Sequence, residues 1–337
     1  MPMPDCEYLK LEIFNTQFIR QRVLKYQLIN TRNCKKSSCG IKSYIVIKKV
    51  IKKNHLHTGL VFIAILLLFS TAGCAFRSVH RNKHIVYNST HTGITAQELN
   101  VFAPSKKNKL KPVYIFVHGG NWNSGNKKLY SYFGNRMARK GIVTVIPDYP
   151  KSPKAGYNEM AEDIAAAVKW VTNNISAFGG DSNRIFISGH SAGGHLAALV
   201  SIKPDYFKKE NIPNPVKGII LIDAAGLDMY HYLKEEHLPA GDTYLTTFSN
   251  NPVTWKEGSP VYFLHNGMPP MLIYQGGKTY PSISSTNERF TDSLKKYDVK
   301  FSYHILPGKK HVPMIIQFFN PYSKRYKEII AFMKEGK

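Results

Sequence analysis

Residues 184–200 read RIFISGHSAGGHLAALV, and the change of pattern inside this stretch decides the fold. Ile185, Phe186 and Ile187 form a short apolar run of β-formers, and HLAALV (195–200) carries Ala and Leu at helical spacing. An apolar run closed by Gly reads as a buried strand, and the segment after it as a helix. Between them stands Gly189-His190-Ser191-Ala192-Gly193, a G-x-S-x-G pattern in the strand–turn–helix context that gives it meaning. Such a turn lifts a serine hydroxyl above the carboxyl edge of a sheet. The flanking glycines let the backbone close without Cβ clashes. The helix that starts there aims unpaired N–H groups at the space beside the serine.

Outward from this turn, strand and helix patterns alternate. Residues 85–88, 98–104, 113–120, 142–150, 216–226, 268–277 and 300–308 read as strands, several of them continuous apolar runs such as VYIFVHGG (113–120). Residues 131–141, 158–175, 287–297 and 323–336 read as helices. Apolar strands covered on both faces, alternating with helices, mean an α/β protein with a mostly parallel central sheet flanked by helices. No repeat or linker divides it, so one domain is expected over residues 80–337.

The chain has 337 residues, 43% of them hydrophobic and 20% charged, which excludes a disordered or collagen-like protein. Its formal charge is +24. Residues 1–74 hold 12 basic and 3 acidic side chains, leaving 34 and 19 for the remainder. The later basic residues are scattered and form no nucleic-acid motif, so no specific nucleic acid is expected as a partner.

All four cysteines, Cys6, Cys34, Cys39 and Cys74, precede the domain, which therefore has no disulfide, no thiol nucleophile and no Cys metal site. Residues 60–69, LVFIAILLLF, are too short an apolar run for a comfortable membrane span of roughly 20 residues. With lysines at 48, 49, 52 and 53 before it and small residues after it, residues 48–74 read as a secretory signal peptide. Its end, Thr71-Ala72-Gly73-Cys74, resembles the lipobox of bacterial lipoproteins, with Thr71 where that family usually has an aliphatic residue. The resemblance implies lipidation at Cys74, membrane association through that anchor, and an exported protein facing the periplasm or the cell exterior. A signal peptide begins just before its basic flank, so translation is expected to start near position 50, and residues 1–47 stay unassigned.

Upstream of the serine, His118-Gly119-Gly120-Asn121-Trp122 closes the strand that ends at 117. Together with PDYP (147–150), FGGDSNRIFISGHSAGGHLA (178–197) and PPMLIYQGG (269–277), it makes the chain similar to α/β-hydrolases of the esterase/lipase group over residues 85–335. Within that group it resembles the carboxylesterase, feruloyl-esterase-like and arylformamidase-like members. The resemblance implies an α/β-hydrolase fold and a small cap insertion at about 227–265. It also implies an oxyanion hole from the amides of Gly119, Gly120 and Ala192, with Asn121 where many members have a third Gly. It implies no metal and no organic cofactor.

A serine hydroxyl needs a base to take its proton, and in this fold the chain order is Ser, acid, His. His311, in LPGKKHVPM (306–314), has the order and context of that base. His190 and His195 sit too close to Ser191 in sequence to reach round to it, and His118 reads as a structural loop residue. His231, His237 and His265 fall in the cap as surface or substrate-contact residues, and His304 alternates into a core strand. The acid is open. Relatives place an Asp after the strand at 271–274, where this chain has GGKTYP (276–281). Asp223, at the end of the preceding strand, is the first candidate, with Glu288, read as starting the following helix, as the alternative and Asp228 as a third. Trp122 is either a pocket wall or a buried structural residue. A serine hydrolase acting on a small-molecule carboxylic ester is expected. The alternatives are formamide cleavage and a catalytically silent binding protein whose triad has decayed; an acid within hydrogen-bond reach of His311 argues against decay.

Overall fold

Val113, Ile115 and Val117 face one side of their strand and Tyr114 and Phe116 the other, and all five are fully buried. A strand of that composition needs a covered face on each side. The computed structural model describes residues 78–88, 96–105 and 109–335, and the coverage is met by eight strands in one sheet. The strands are β1 (Val79–Asn88), β2 (Gln97–Pro104), β3 (Lys111–Val117), β4 (Val143–Pro147), β5 (Gly180–His190), β6 (Val216–Ile222), β7 (Met271–Gly276) and β8 (Phe301–Leu306). Their order is β1-β2-β4-β3-β5-β6-β7-β8. The β1/β2 and β2/β4 pairs are antiparallel and all others parallel.

On one face α1 (Ser131–Arg139) and the C-terminal helix α10 (Lys324–Glu335) pack Phe133, Met137, Tyr326 and Ile329 against Tyr114, Phe116 and Phe186. On the other, α2 (Tyr157–Asn174), α3 (Ala192–Ile202) and α8 (Pro281–Leu294) meet Val113, Ile115, Ile187 and Leu221. The period-2 alternation of the strands thus assigns residues to two separate cores, as the sequence implied. Every residue of α3 is buried, which suits its lack of charge.

Short helices fill the other crossovers: α4 (Asp205–Lys209), then α5 (Met229–Glu235), α6 (Thr243–Phe248) and α7 (Pro252–Glu257) in the cap, and α9 (His311–Ile316) after β8. The three cap helices each begin at a side-chain cap. Asp228 accepts from the His231 amide (3.1 Å), Asp242 from Tyr244 (2.7 Å) and Asn251 from Val253 (2.9 Å).

Three expectations are corrected. The helix read from 287 begins at Pro281, whose missing N–H and fixed φ suit a first helical position, so Glu288 stands in mid-helix rather than at its start. The first strand begins at Val79 rather than 85. His304 is exposed, because β8 is an edge strand with one open face, where it stacks on the Tyr274 ring at 5.5 Å. The signal peptide, Cys74 and residues 1–47 lie outside the described residues.

Gly134 in α1 leaves room for the Phe102 ring, since a Cβ there would stand 2.4 Å from it. Gly134→Val should therefore cost about 1–3 kcal/mol by overpacking. Gly141→Ala, with nothing within 4 Å but a φ of +90°, should cost only the backbone strain, roughly 1 kcal/mol. Urea denaturation of both variants measures the two effects.

Candidate active site

The parallel register aligns the carboxyl ends of four neighbouring strands: His190 of β5 lies opposite Ile222 of β6, Ile222 opposite Tyr274 of β7, and Gly276 opposite Leu306 of β8. The residues that follow these ends are Ser191, Asp223, the 277–280 loop and, beyond a short turn, His311. The sheet thereby brings together groups up to 120 residues apart in the chain.

Ser191 has φ 55° and ψ −127° between β5 and α3. A non-glycine residue holds such a conformation only where its surroundings over-determine it, at a cost of about 1–3 kcal/mol. Here the Ser191 amide donates to the Ile222 carbonyl (3.2 Å), while its own carbonyl accepts from Gly194 (2.9 Å), Ala225 (3.1 Å) and His195 (3.2 Å). The glycines are required by contact: a Cβ on Gly189 would stand 2.1 Å from the Gly193 carbonyl oxygen, and one on Gly193 2.2 Å from that of Val117.

His311 Nε2 lies 2.9 Å from Ser191 Oγ, and its Nδ1 2.6 Å from Asp223 Oδ2. The carboxylate of Asp223 is fully buried and filled with donors. Oδ1 accepts from the Gly276 amide (2.7 Å), and Oδ2 also accepts from the Thr279 hydroxyl (2.5 Å). The segment GGKTYP, which has no acid of its own, thus holds the acid that ends the strand before it. Glu288 is exposed and accepts from the Ser284 hydroxyl at 3.2 Å, away from His311, and Asp228 caps α5. The GGKTYP loop also clasps the histidine turn. The Gly277 amide donates to Leu306 (2.8 Å) and that of Lys278 to Lys309 (2.8 Å), so close that a Cβ on Gly276 would meet the Lys309 carbonyl oxygen at 2.6 Å.

The loop at 118–122 stands against the serine, a Cβ on Gly119 lying 3.2 Å from Ser191 Cβ. Gly120 has φ 137°, and Asn121 and Trp122 also have positive φ. Burial pushes the Tyr130 hydroxyl pKa up, and a backbone hydrogen bond from Gly119 offsets part of that.

The loop is buttressed from behind. The Tyr149 hydroxyl donates to the His118 carbonyl (2.8 Å), the two rings stack at 4.4 Å, and His118 Nε2 stands 3.3 Å from Asp148 Oδ1. Lys127, almost completely buried, bridges Asp148 (2.7 Å) and Glu98 (3.0 Å). Burial alone would raise the Asp148 pKa; the hydrogen bonds with His118 and Lys127 outweigh it and hold this carboxyl well below the usual range.

Two further histidines serve the framework, a role the sequence did not assign them. His195 Nε2 donates to the Gly258 carbonyl (2.7 Å), and its Nδ1 accepts from Trp122 Nε1–H (3.2 Å), a pattern that requires the neutral ring. Trp122 is fully buried, with Phe248 (5.2 Å) and Tyr244 (5.7 Å) of the cap edge-on to its ring. One indole–imidazole pair therefore ties loop, α3 and cap together. His190 stacks on His311 at 4.6 Å, with its Nε2 3.3 Å from the His311 carbonyl oxygen.

In the cap, His231 pairs with Glu235 (2.8 Å) and His265 Nδ1 contacts the Asn266 carbonyl (2.7 Å). The cap also has a hollow of its own, about 410 Å³, walled by Leu233, His237, Leu238, Leu245 and Trp255 among others. Neither Ser191 nor His311 borders it.

Sheet order, the serine turn and the loop at 118–122 define an α/β-hydrolase. The BD-FAE family model matches residues 99–287, more than half of the chain, and the chain belongs to that family. Among curated relatives, the isoprenylcysteine alpha-carbonyl methylesterase ICME of Arabidopsis thaliana is 30% identical over 239 residues, 65% of this chain and 54% of that protein. Esterase LipQ of Mycobacterium tuberculosis is 29% identical, over 59% of this chain and 50% of its own length. The chain spans about half the length of these relatives. Among solved structures, a truncated carbohydrate esterase from gut microbiota has a TM-score of 0.66 at 19% identity, covering 76% of this chain and 96% of that one. Butyrate-bound esterase 2 of Thermogutta terrifontis has 0.62 at 23%, covering 77% and 95%. At these identities the likeness is one of fold.

Burial pushes the His190 pKa down to about 3, with the charge of the neighbouring His311 acting the same way, and burial pushes that of His195 down to about 4. Each group binds fewer protons folded than unfolded between its folded value and the ordinary value of about 6.5, so each makes stability rise with pH there and fall on acidification. The unfolding free energy should drop from pH 6.5 towards 4.5, each histidine adding up to roughly 1.4 kcal/mol per pH unit. Urea denaturation across this range should show the slope, and His195→Gln should remove about half of the histidine contribution.

Proposed function

We propose that this protein is a serine hydrolase of carboxylic esters acting through an acyl-enzyme. The observation that carries the reading is the unbroken chain Ser191–His311–Asp223, with both outer contacts of the imidazole made. Ser191 Oγ attacks the ester carbonyl while His311 Nε2 takes its proton. Asp223 keeps Nδ1 protonated and stabilises the imidazolium, its own charge being held by the Gly276 amide and the Thr279 hydroxyl. The amides of Gly119, Gly120 and Ala192 supply the oxyanion hole; one such donor is typically worth about 3 kcal/mol in the transition state. His311 then gives the proton to the leaving alcohol, and water, deprotonated by the same nitrogen, releases the acid.

The names of the curated relatives, a methylesterase and esterases, favour an ester over a formamide as substrate. The satisfied acid speaks against a decayed triad. Export and anchoring through a lipidated Cys74 belong to the same proposal. Cys74→Ser should move the protein from the membrane fraction to the soluble one and abolish labelling by a radioactive fatty acid.

Hydrolysis of p-nitrophenyl acetate, butyrate and octanoate tests the chemistry. Ser191→Ala should abolish turnover, and Asp223→Asn should lower kcat by about 10⁴ through loss of the correct tautomer. Glu288→Gln should leave the rate unchanged. An unaffected Asp223→Asn variant would remove Asp223 from the triad; turnover surviving in Ser191→Ala would overturn the mechanism.

A further inference from the structure

The large apolar side chains that stand exposed are unevenly placed. Leu129, Tyr280, Val312, Ile316 and Phe319 are between 49% and 61% exposed, and they lie on the segments that adjoin His311 and the 118–122 loop. Val312 follows His311 directly, and Ile316 lies one turn further along α9, on the same side. The Tyr280 ring is 5.2 Å from that of His311. Phe319 stacks on Tyr132 at 3.8 Å, and the Tyr132 hydroxyl donates to the Ile315 carbonyl, which ties this turn to α1. Leu129 adjoins Tyr130, whose hydroxyl meets the Gly119 backbone beside Ser191.

The segments that carry these side chains are basic. Segments 127–140, 276–287 and 308–327 contain no Asp or Glu. Arg325 is paired with Glu328, but among the described residues Lys128, Lys278, Lys309, Lys310 and Lys324 make no ion pair. An apolar patch of this kind marks an interaction surface. Unpaired lysines around exposed aromatic and aliphatic side chains are the combination that binds an anionic lipid surface, the apolar groups entering the headgroup boundary and the ammonium groups meeting phosphates.

We propose that this face docks on an anionic phospholipid bilayer, placing Ser191 and His311 at the lipid–water boundary, so that esters dissolved in the bilayer reach the serine without crossing bulk water. The docking is a property of the surface and does not depend on the catalytic reading. It is separate from any lipid at Cys74, which lies outside the described residues.

The test uses the full chain with Cys6, Cys34, Cys39 and Cys74 replaced by Ser and one new cysteine carrying an environment-sensitive fluorophore. In one protein the label is at Ile316→Cys. In the control it is at Leu110→Cys, an exposed site just before β3, at the amino ends of the strands opposite the active site. With phosphatidylglycerol-containing vesicles the label at 316 should shift to the blue and be quenched by lipid-borne spin labels, while that at 110 should not. Pure phosphatidylcholine should give a much weaker response. Reversing Lys128, Lys310 and Lys324 to Glu should weaken vesicle affinity by at least about tenfold. The same shift in a Ser191→Ala background, which should bind normally while failing to hydrolyse, separates docking from catalysis. No shift at 316, equal shifts at both positions, or a shift that tracks protein concentration without vesicles would overturn the proposal, the last by assigning the face to a second copy of the chain.

Discussion

A serine held at positive φ has to be kept there by its neighbours, and much of the molecule can be traced to that requirement. Ser191 stays at φ 55° because its amide and carbonyl are bound to the end of β6, to Ala225 and to the first turn of α3. Those bonds exist only if β5 and β6 run parallel in their observed register, which the apolar faces of both strands impose. The turn also needs backbone from three elements in contact with no Cβ between them, which is why glycines stand at 189 and 193. Strain of about 1–3 kcal/mol is small beside the burial of α3 and its flanking strands, and the fold sustains it without loosening.

Around this turn two buried polar groups, Asp223 and His195, have fixed partners, and the partners come from distant parts of the chain. The carboxylate of Asp223 meets His311, Gly276 and Thr279. The ring of His195 meets Trp122 and Gly258. A buried donor or acceptor left without a partner costs roughly 1–3 kcal/mol, so such sets hold their members in one geometry. His195 and Trp122 thereby couple cap, loop and nucleophile helix, while the ion pairs of Lys127 stiffen the loop from the opposite side. The site is rigid where chemistry needs position, on the carboxyl ends of a sheet, where strand ends converge but side chains stay open to one side.

Much of the architecture was legible because it is local and periodic. Alternating apolar positions at 113–117, the strand–turn–helix pattern at 184–200 and the Gly-rich turn at 118–120 each reveal themselves within a few residues. Ser191 and His311 could be read the same way, from a five-residue pattern and from chain order. His304 was misread because alternation within β8 does not say that the strand is at an edge, and the helix read from 287 was misplaced because Pro281 marks a start only once the turn before it is known.

By itself, then, the sequence determined the layers, the strand–turn–helix about Ser191 and the identity of nucleophile and base candidates, since short-range periodicity and turn sterics specify those. What only the tertiary structure decided was which carboxylate meets His311. Asp223 was the first candidate in sequence and Glu288 the alternative, with no local pattern to separate them; the parallel register places the first 2.6 Å from the imidazole, while the second accepts from Ser284. The donors that hold Asp223 were invisible for the same reason. Gly276 and Thr279 act across a strand boundary 53 and 56 residues from their acceptor, and a hydrogen bond formed at that separation leaves no local pattern in the chain.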